Sequence, residues 1–166
     1  MKYRGIDATC FFRIFCVLNI LLATAAIPAA AADLEVNKPW VRATVPGQQT
    51  GAAYMQLSSR AGVSIVGVSS TLAGAAEFHA MSLEGGVMKM RGLSRLDVPP
   101  GKALTLSPGG YHLMLMELRQ PLRPGATVPI VLQVKGSDGK VETVGVSAEV
   151  RDFGNAPPSD EHHHHH

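Results

Sequence analysis

From Asp33 onward, apolar and polar residues alternate over short runs, and no long 3.6-residue periodicity interrupts them. The alternation predicts strands over Leu34–Val41, Ala52–Ser58, Val63–Ser70, Ala75–Leu83, Val87–Leu93, Gly110–Leu118, Val128–Val134 and Val141–Val150. Turn residues punctuate them at Pro46-Gly47, Gly85-Gly86, Pro99-Pro100-Gly101, Pro108-Gly109-Gly110, Pro124-Gly125 and Asp138-Gly139. The Asp138-Gly139 pair predicts a two-residue hairpin, because a type I′ turn needs positive φ at both central positions. Short strands without helical crossovers read as an all-β domain over residues 33–152, an antiparallel sandwich or barrel.

The two ends have a different character. Lys2, Arg4 and Arg13 form a basic leader; Ile14–Ile27 is apolar apart from Asn19 and Thr24; Pro28 and Ala29–Ala32 supply small residues. Residues 1–32 are therefore expected to be a secretory signal, cleaved after Ala31 or Ala32. The apolar stretch is shorter than the ~20 residues that span a bilayer, so no membrane span is expected after cleavage. An Ala-rich signal of this type points to a bacterial periplasm. Residues 153–166, FGNAPPSDEHHHHH, form a polar tail, and its five histidines (His162, His163, His164, His165 and His166) read equally as an expression tag or a metal-binding tract.

Charge and composition then narrow the function. Lys+Arg is 15 against 13 Asp+Glu, too balanced for a nucleic-acid binder driven by a basic field. Aromatics are 5%, which disfavours a base-stacking surface. Removing the signal also removes Cys10 and Cys16, the only cysteines. The exported domain then has no disulfide, no thiolate nucleophile and no Cys-based zinc site. There is no G-x-S-x-G or H-E-x-x-H, and two histidines ahead of the tail are too few for a multi-copper oxidase. The chain is read as a non-enzyme.

Those two histidines are His79 and His112, and each carries a methionine two residues on, Met81 and Met114. Met88-Lys-Met90 and Met116 complete three short runs in which the soft side chains recur at i, i+2, on one face of a strand. A strand methionine is most often core filler, and a lone histidine is most often a hydrogen-bonded structural residue. Their co-location points instead to a soft metal. Thioether sulfur suits Cu(I), and imidazole tolerates both copper oxidation states. Two imidazoles and two thioethers form an uncharged donor set that favours Cu(I).

The spacing His79-x10-Met90-x21-His112-x-Met114 resembles the H-x10-M-x21-H-x-M pattern of the PCuAC periplasmic copper chaperones, also described as DUF461. The flanks agree at Trp40-Val-Arg-Ala-Thr44, Gly51-Ala-Ala-Tyr-Met55, Gly85-Gly-Val-Met-Lys-Met-Arg91 and Pro108-Gly-Gly-Tyr-His-Leu-Met114. The resemblance implies a cupredoxin-like β-sandwich or barrel with Greek-key topology. It implies one Cu(I) held by His79, Met90, His112 and Met114, and delivery to the CuA centre of cytochrome c oxidase alongside a Sco-type protein. Met81 is left as a lid, an exchange ligand or packing. Met88 and Met116 are read as neighbours of the site, and the His tail as a possible Cu(II) site. Trp40 and Tyr54 are expected in the core, and a monomer is expected. Two other readings stand beside this one: an exported adhesion or interaction module whose methionines are core, and a copper storage or tolerance protein.

Overall fold

The computed structural model describes residues 33–152, so the expected signal and the His tail lie outside the described residues. Ten strands form: β1 (Glu35–Arg42), β2 (Thr50–Ser58), β3 (Val63–Ser69), β4 (Ala75–Glu84), β5 (Val87–Leu93), β6 (Leu96–Val98), β7 (Leu104–Leu106), β8 (His112–Met116), β9 (Thr127–Lys135) and β10 (Val141–Arg151). No described residue is helical, and none belongs to a helix long and apolar enough to cross a membrane. The strand order is β5-β4-β8-β2-β1-β10-β9-β3-β6, with β7 also pairing β2. The chain crosses repeatedly between the β5-to-β2 half and the β10-to-β6 half. The result is the all-β, cupredoxin-like sandwich expected from sequence.

Alternation sorts the side chains. Ala53, Met55 and Leu57 of β2, Phe78 of β4, and Leu113 and Leu115 of β8 meet Ile65, Ile130, Leu132 and Val134 from the other half in one apolar cluster. Leu57, Ile65, Leu113, Leu115 and Leu132 are fully buried. Each such side chain contributes on the order of 1.5–3 kcal/mol by leaving water. The opposite face of β4, β8 and β2 is therefore left free to carry chemistry.

Four local features differ from the sequence expectation. The sheet is mixed, because β1 and β10 pair in parallel, Trp40 opposite Glu149 and Arg42 opposite Arg151. Strands β6 and β7 are new; three residues each are too few to show alternation. Asp138-Gly139 does not make a two-residue turn. The Gly139 N–H donates to Gly136 O at 3.0 Å, Gly139 alone of the pair has positive φ (81°), and the Gly136 N–H bonds to Lys140 O. This is a longer loop, a type I turn closed by one left-handed glycine. Strand β8 stops at Met116 because Glu117 adopts φ 54°.

A bulge in β1 matters for the site. Asn37 pairs with Gln56, but Trp40 pairs with Tyr54, so β1 spends one extra residue there, with Lys38 at φ 49°. One extra residue exchanges the faces of all that follow. Val41 thereby enters the core and Trp40 moves to the outer face beside Tyr54, with ring centroids 4.6 Å apart. Both aromatics are buried as expected, but they pack on each other outside the main apolar cluster.

Carboxylates tie down loops at the periphery. Asp33 accepts from the Ala61 N–H at 2.7 Å and from the Ser59 hydroxyl at 3.1 Å. Its carboxyl is held below the ordinary 3.8, chiefly by the Ala61 N–H. Asp97 is lowered first by the Ser64 hydroxyl and Asp138 first by the Lys140 N–H. A carboxyl that ionises more readily when folded adds stability above its unfolded pKa, and that stability disappears as pH falls through the lower folded value. The urea midpoint is thus expected to hold from neutrality to about pH 4 and to fall below it. Asp33→Asn should lower the midpoint at pH 7 and flatten the acid decline. An unchanged midpoint with a parallel decline contradicts this role.

Candidate metal centre

The site rests on which residues face outward from adjacent strands. In β8 the buried Leu113 and Leu115 leave His112, Met114 and Met116 on the outer face. In β4 the buried Phe78 leaves Glu77, His79 and Met81 there. The β4–β8 register sets His79 directly opposite His112 and Glu77 opposite Met114. The β4–β5 register sets Met81 opposite Met90 and His79 opposite Gly92. The hairpin between β4 and β5 is closed by a two-residue turn at Gly85 and Gly86, with φ 60° and 82°, where the sequence places turn residues.

All four expected ligands therefore share one face of three neighbouring strands. The two imidazole centroids are 5.7 Å apart with planes tilted by 53°. Met114 is two residues from His112 on the same face, and Met90 lies two residues along from the His79–Gly92 level. Met116 is four residues from His112, about 13 Å along the strand, and pairs with Ala75 and Thr50. Met88 pairs with Leu83 at the hairpin tip, a similar distance from His79 in the other direction. Neither reaches an ion held between the two imidazoles.

The ring nitrogens are not equivalent. His112 is 7% exposed, and its Nδ1 is 3.1 Å from Gly110 O. A carbonyl can only accept, so Nδ1 carries the proton and the Nε2 lone pair is free. His79 has the reverse arrangement. Its Nε2 lies 3.3 Å from Glu77 Oε2, while its buried Nδ1 has no protein partner. An unpartnered buried nitrogen costs on the order of 1–3 kcal/mol, and a bound cation would satisfy it. The ring nitrogens left without an acceptor are thus His79 Nδ1 and His112 Nε2, on the same face as the Met90 and Met114 thioethers, with each imidazole held by an acceptor through its other nitrogen.

Two groups outside the four-residue pattern shape the site. Gly110 lies at the end of a turn in which its N–H bonds to Ser107 O at 3.0 Å and Gly109 has φ 84°. Pro108 and Gly109 suit the two central positions of a type II turn. The Gly110 carbonyl orients His112 and also accepts the Met81 N–H at 3.3 Å, so one oxygen ties β8 to β4. Gly92 leaves the space beside His79 open; a Cβ there would stand 3.8 Å from His79 Nε2 and 3.7 Å from Glu77 Oε2. Sequence reading missed Glu77, although an acid two residues before His79 on a strand must share its face. Among the described residues there is no group of three or more His, Cys, Asp or Glu that could hold a metal ion.

The chain is similar to known proteins in sequence and in fold. The family described as "Putative lipoprotein LpqE-like" matches residues 34–150. The chain is 33% identical over 138 residues to "Putative lipoprotein Lxx21020" of Leifsonia xyli subsp. xyli, covering 82% of this chain and 81% of the relative. It is similar to the solution structure of CuI-DR1885 from Deinococcus radiodurans, at 34% identity and a TM-score of 0.55, over 76% of this chain and 85% of that one. It shares its fold with the copper-bound PCuAC domain from PmoF2, at 22% identity and a TM-score of 0.60, over 74% of this chain and 96% of that one.

If Glu77 sets the His79 proton, nitrogen-15 NMR of the copper-free protein should find neutral His79 protonated on Nε2. Glu77→Leu should mix its two tautomers and leave His112, held by Gly110, unchanged. An unaltered His79 tautomer in that variant contradicts the assignment.

Proposed function

The chain belongs to the LpqE-like family, and we propose that it is an exported Cu(I) carrier that holds one ion through His79, Met90, His112 and Met114. The observation that carries the reading is the buried, unpartnered Nδ1 of His79 in the same cross-strand pair as the free Nε2 of His112. Cu(I) suits this set because both imidazoles present lone pairs and both sulfurs are neutral and polarizable. Copper is cargo here, and no bond of a substrate is made or broken, which makes the protein a carrier and not an enzyme.

Exposure supports transfer. Met90 is 51% exposed on β5, which ends the sheet. An acceptor can reach the ion from that side, displace Met90 first, and leave the buried His112 until last. A thiolate-rich acceptor would draw Cu(I) from neutral ligands, which fits delivery to the CuA centre of cytochrome c oxidase with a Sco-type thiol partner. The copper in the name of the Deinococcus relative and the lipoprotein description of the Leifsonia relative support copper binding and export to the cell envelope. A periplasmic location and cleavage at Ala31 or Ala32 complete this reading, with a Cu(II) tail site where His162–His166 are native. Against the interaction-module reading, only Met55 of the six methionines after the signal is fully buried; Met88 and Met90 are half exposed.

Titration of Cu(I) against a chromophoric chelator at pH 7 should give one-to-one binding. His112→Ala and Met90→Ala should each weaken it, His112→Ala by more than the ten- to hundredfold that outer-shell partners are usually worth. Because protonated imidazole cannot ligate, affinity should fall as pH is lowered. Binding unchanged in both variants rules the centre out.

A further inference from the structure

We propose a second soft-cation site on the β4–β5 hairpin, formed by the thioethers of Met81, Met88 and Met90, through which Cu(I) enters and leaves the four-ligand centre; this rests on the carrier reading above. Every residue of β5 but the last is exposed. On such a strand, a large apolar side chain facing water invites association, and natural edges are blunted with charge. Past Val87, which is 61% exposed beside the turn, one face of β5 follows that rule: Lys89 and Arg91 both pair with Glu84, at 3.0 and 2.6 Å. The other face breaks it, with Met88 at 50% and Met90 at 51% exposure and Leu83 across from Met88 at 68%.

Met90 is accounted for as a ligand, but Met88 belongs neither to the core nor to the four-ligand set. The register explains what it could join. Met81 lies directly opposite Met90, where Cβ atoms stand roughly 4.5–5.5 Å apart, and Met88 is diagonal to Met81 at about 7–8 Å. Methionine has three rotatable bonds, so the three sulfurs can converge on one ion above the hairpin. Three neutral thioethers without nitrogen or oxygen donors select Cu(I) or Ag(I) over harder cations.

Met90 is common to both sets, which makes the passage a sequence of ligand exchanges. The bonds from copper to the Met88 and Met81 sulfurs break as bonds to His79 Nδ1, His112 Nε2 and the Met114 sulfur form. Copper stays Cu(I), and no electron moves. Each ring already carries its proton on the nitrogen beside an acceptor and a lone pair on the other, so no proton moves either.

The test uses Ag(I), a redox-silent probe, with carbon-13-labelled methionine methyls in the full exported chain. In wild type, one equivalent should shift the Met90 and Met114 methyls. In His79→Ala/His112→Ala, which lacks the nitrogen ligands, it should shift Met81, Met88 and Met90. Shifts confined to Met90 and Met114 in that variant overturn the second site while leaving the carrier reading intact; no methyl shift in wild type overturns both. Met88→Leu covers the chance that the double variant fails to fold. It should slow Cu(I) uptake from a chelator several-fold with equilibrium affinity at the four-ligand centre unchanged, and an unchanged uptake rate overturns the proposal.

Discussion

The register between β4 and β8 is the constraint on which the rest of the site depends. His79 faces His112 only because Phe78 faces Leu113 in the core, and a slip of one residue would turn one of the two strands over, sending either Phe78 or the leucines out to water and the histidine of that strand inward. Burial of Phe78, Leu113 and Leu115 therefore enforces the position of the proposed ligands from the opposite face of the sheet. The Gly110 carbonyl adds a local lock, since it binds the β4 backbone at Met81 and the His112 ring together. Core packing fixes the strands to a residue, and that oxygen fixes the imidazole.

This division of labour gives a centre that is rigid on one side and open on the other. His112 is nearly enclosed, and His79 is held from behind by Glu77. One of the two sulfurs, that of Met90, sits on the terminal strand of the sheet and meets solvent. A carrier needs this asymmetry: preorganised nitrogens lower the cost of binding, and an accessible thioether lets an acceptor start ligand exchange before the ion is free. The bulge in β1 extends the same outer face by moving Trp40 out beside Tyr54, one strand from β8.

Much of this was legible in the chain. The i, i+2 spacing of His79 and Met81, and of His112, Met114 and Met116, placed the soft donors on common strand faces, because strand periodicity is local. Gly85-Gly86 announced the β4–β5 hairpin for the same reason. What sequence could not supply was long-range pairing. The parallel β1–β10 contact joins segments more than a hundred residues apart, and no local pattern encodes it. Strands β6 and β7 are too short to alternate visibly. Asp138-Gly139 misled because the same dipeptide closes both a two-residue turn and the longer loop found here. The distinction between His79 Nδ1 and His112 Nε2 needed Glu77 and Gly110 in three dimensions.

X-ray absorption at the copper edge of the Cu(I)-loaded protein with the His tail deleted tests the proposed centre most directly, because it counts ligand atoms without reference to affinity. Two nitrogens and two sulfurs, with one nitrogen lost in His112→Ala and one sulfur lost in Met90→Ala, are the predicted result. A shell made only of nitrogen and oxygen, or one that keeps both sulfurs in Met90→Ala, would contradict it.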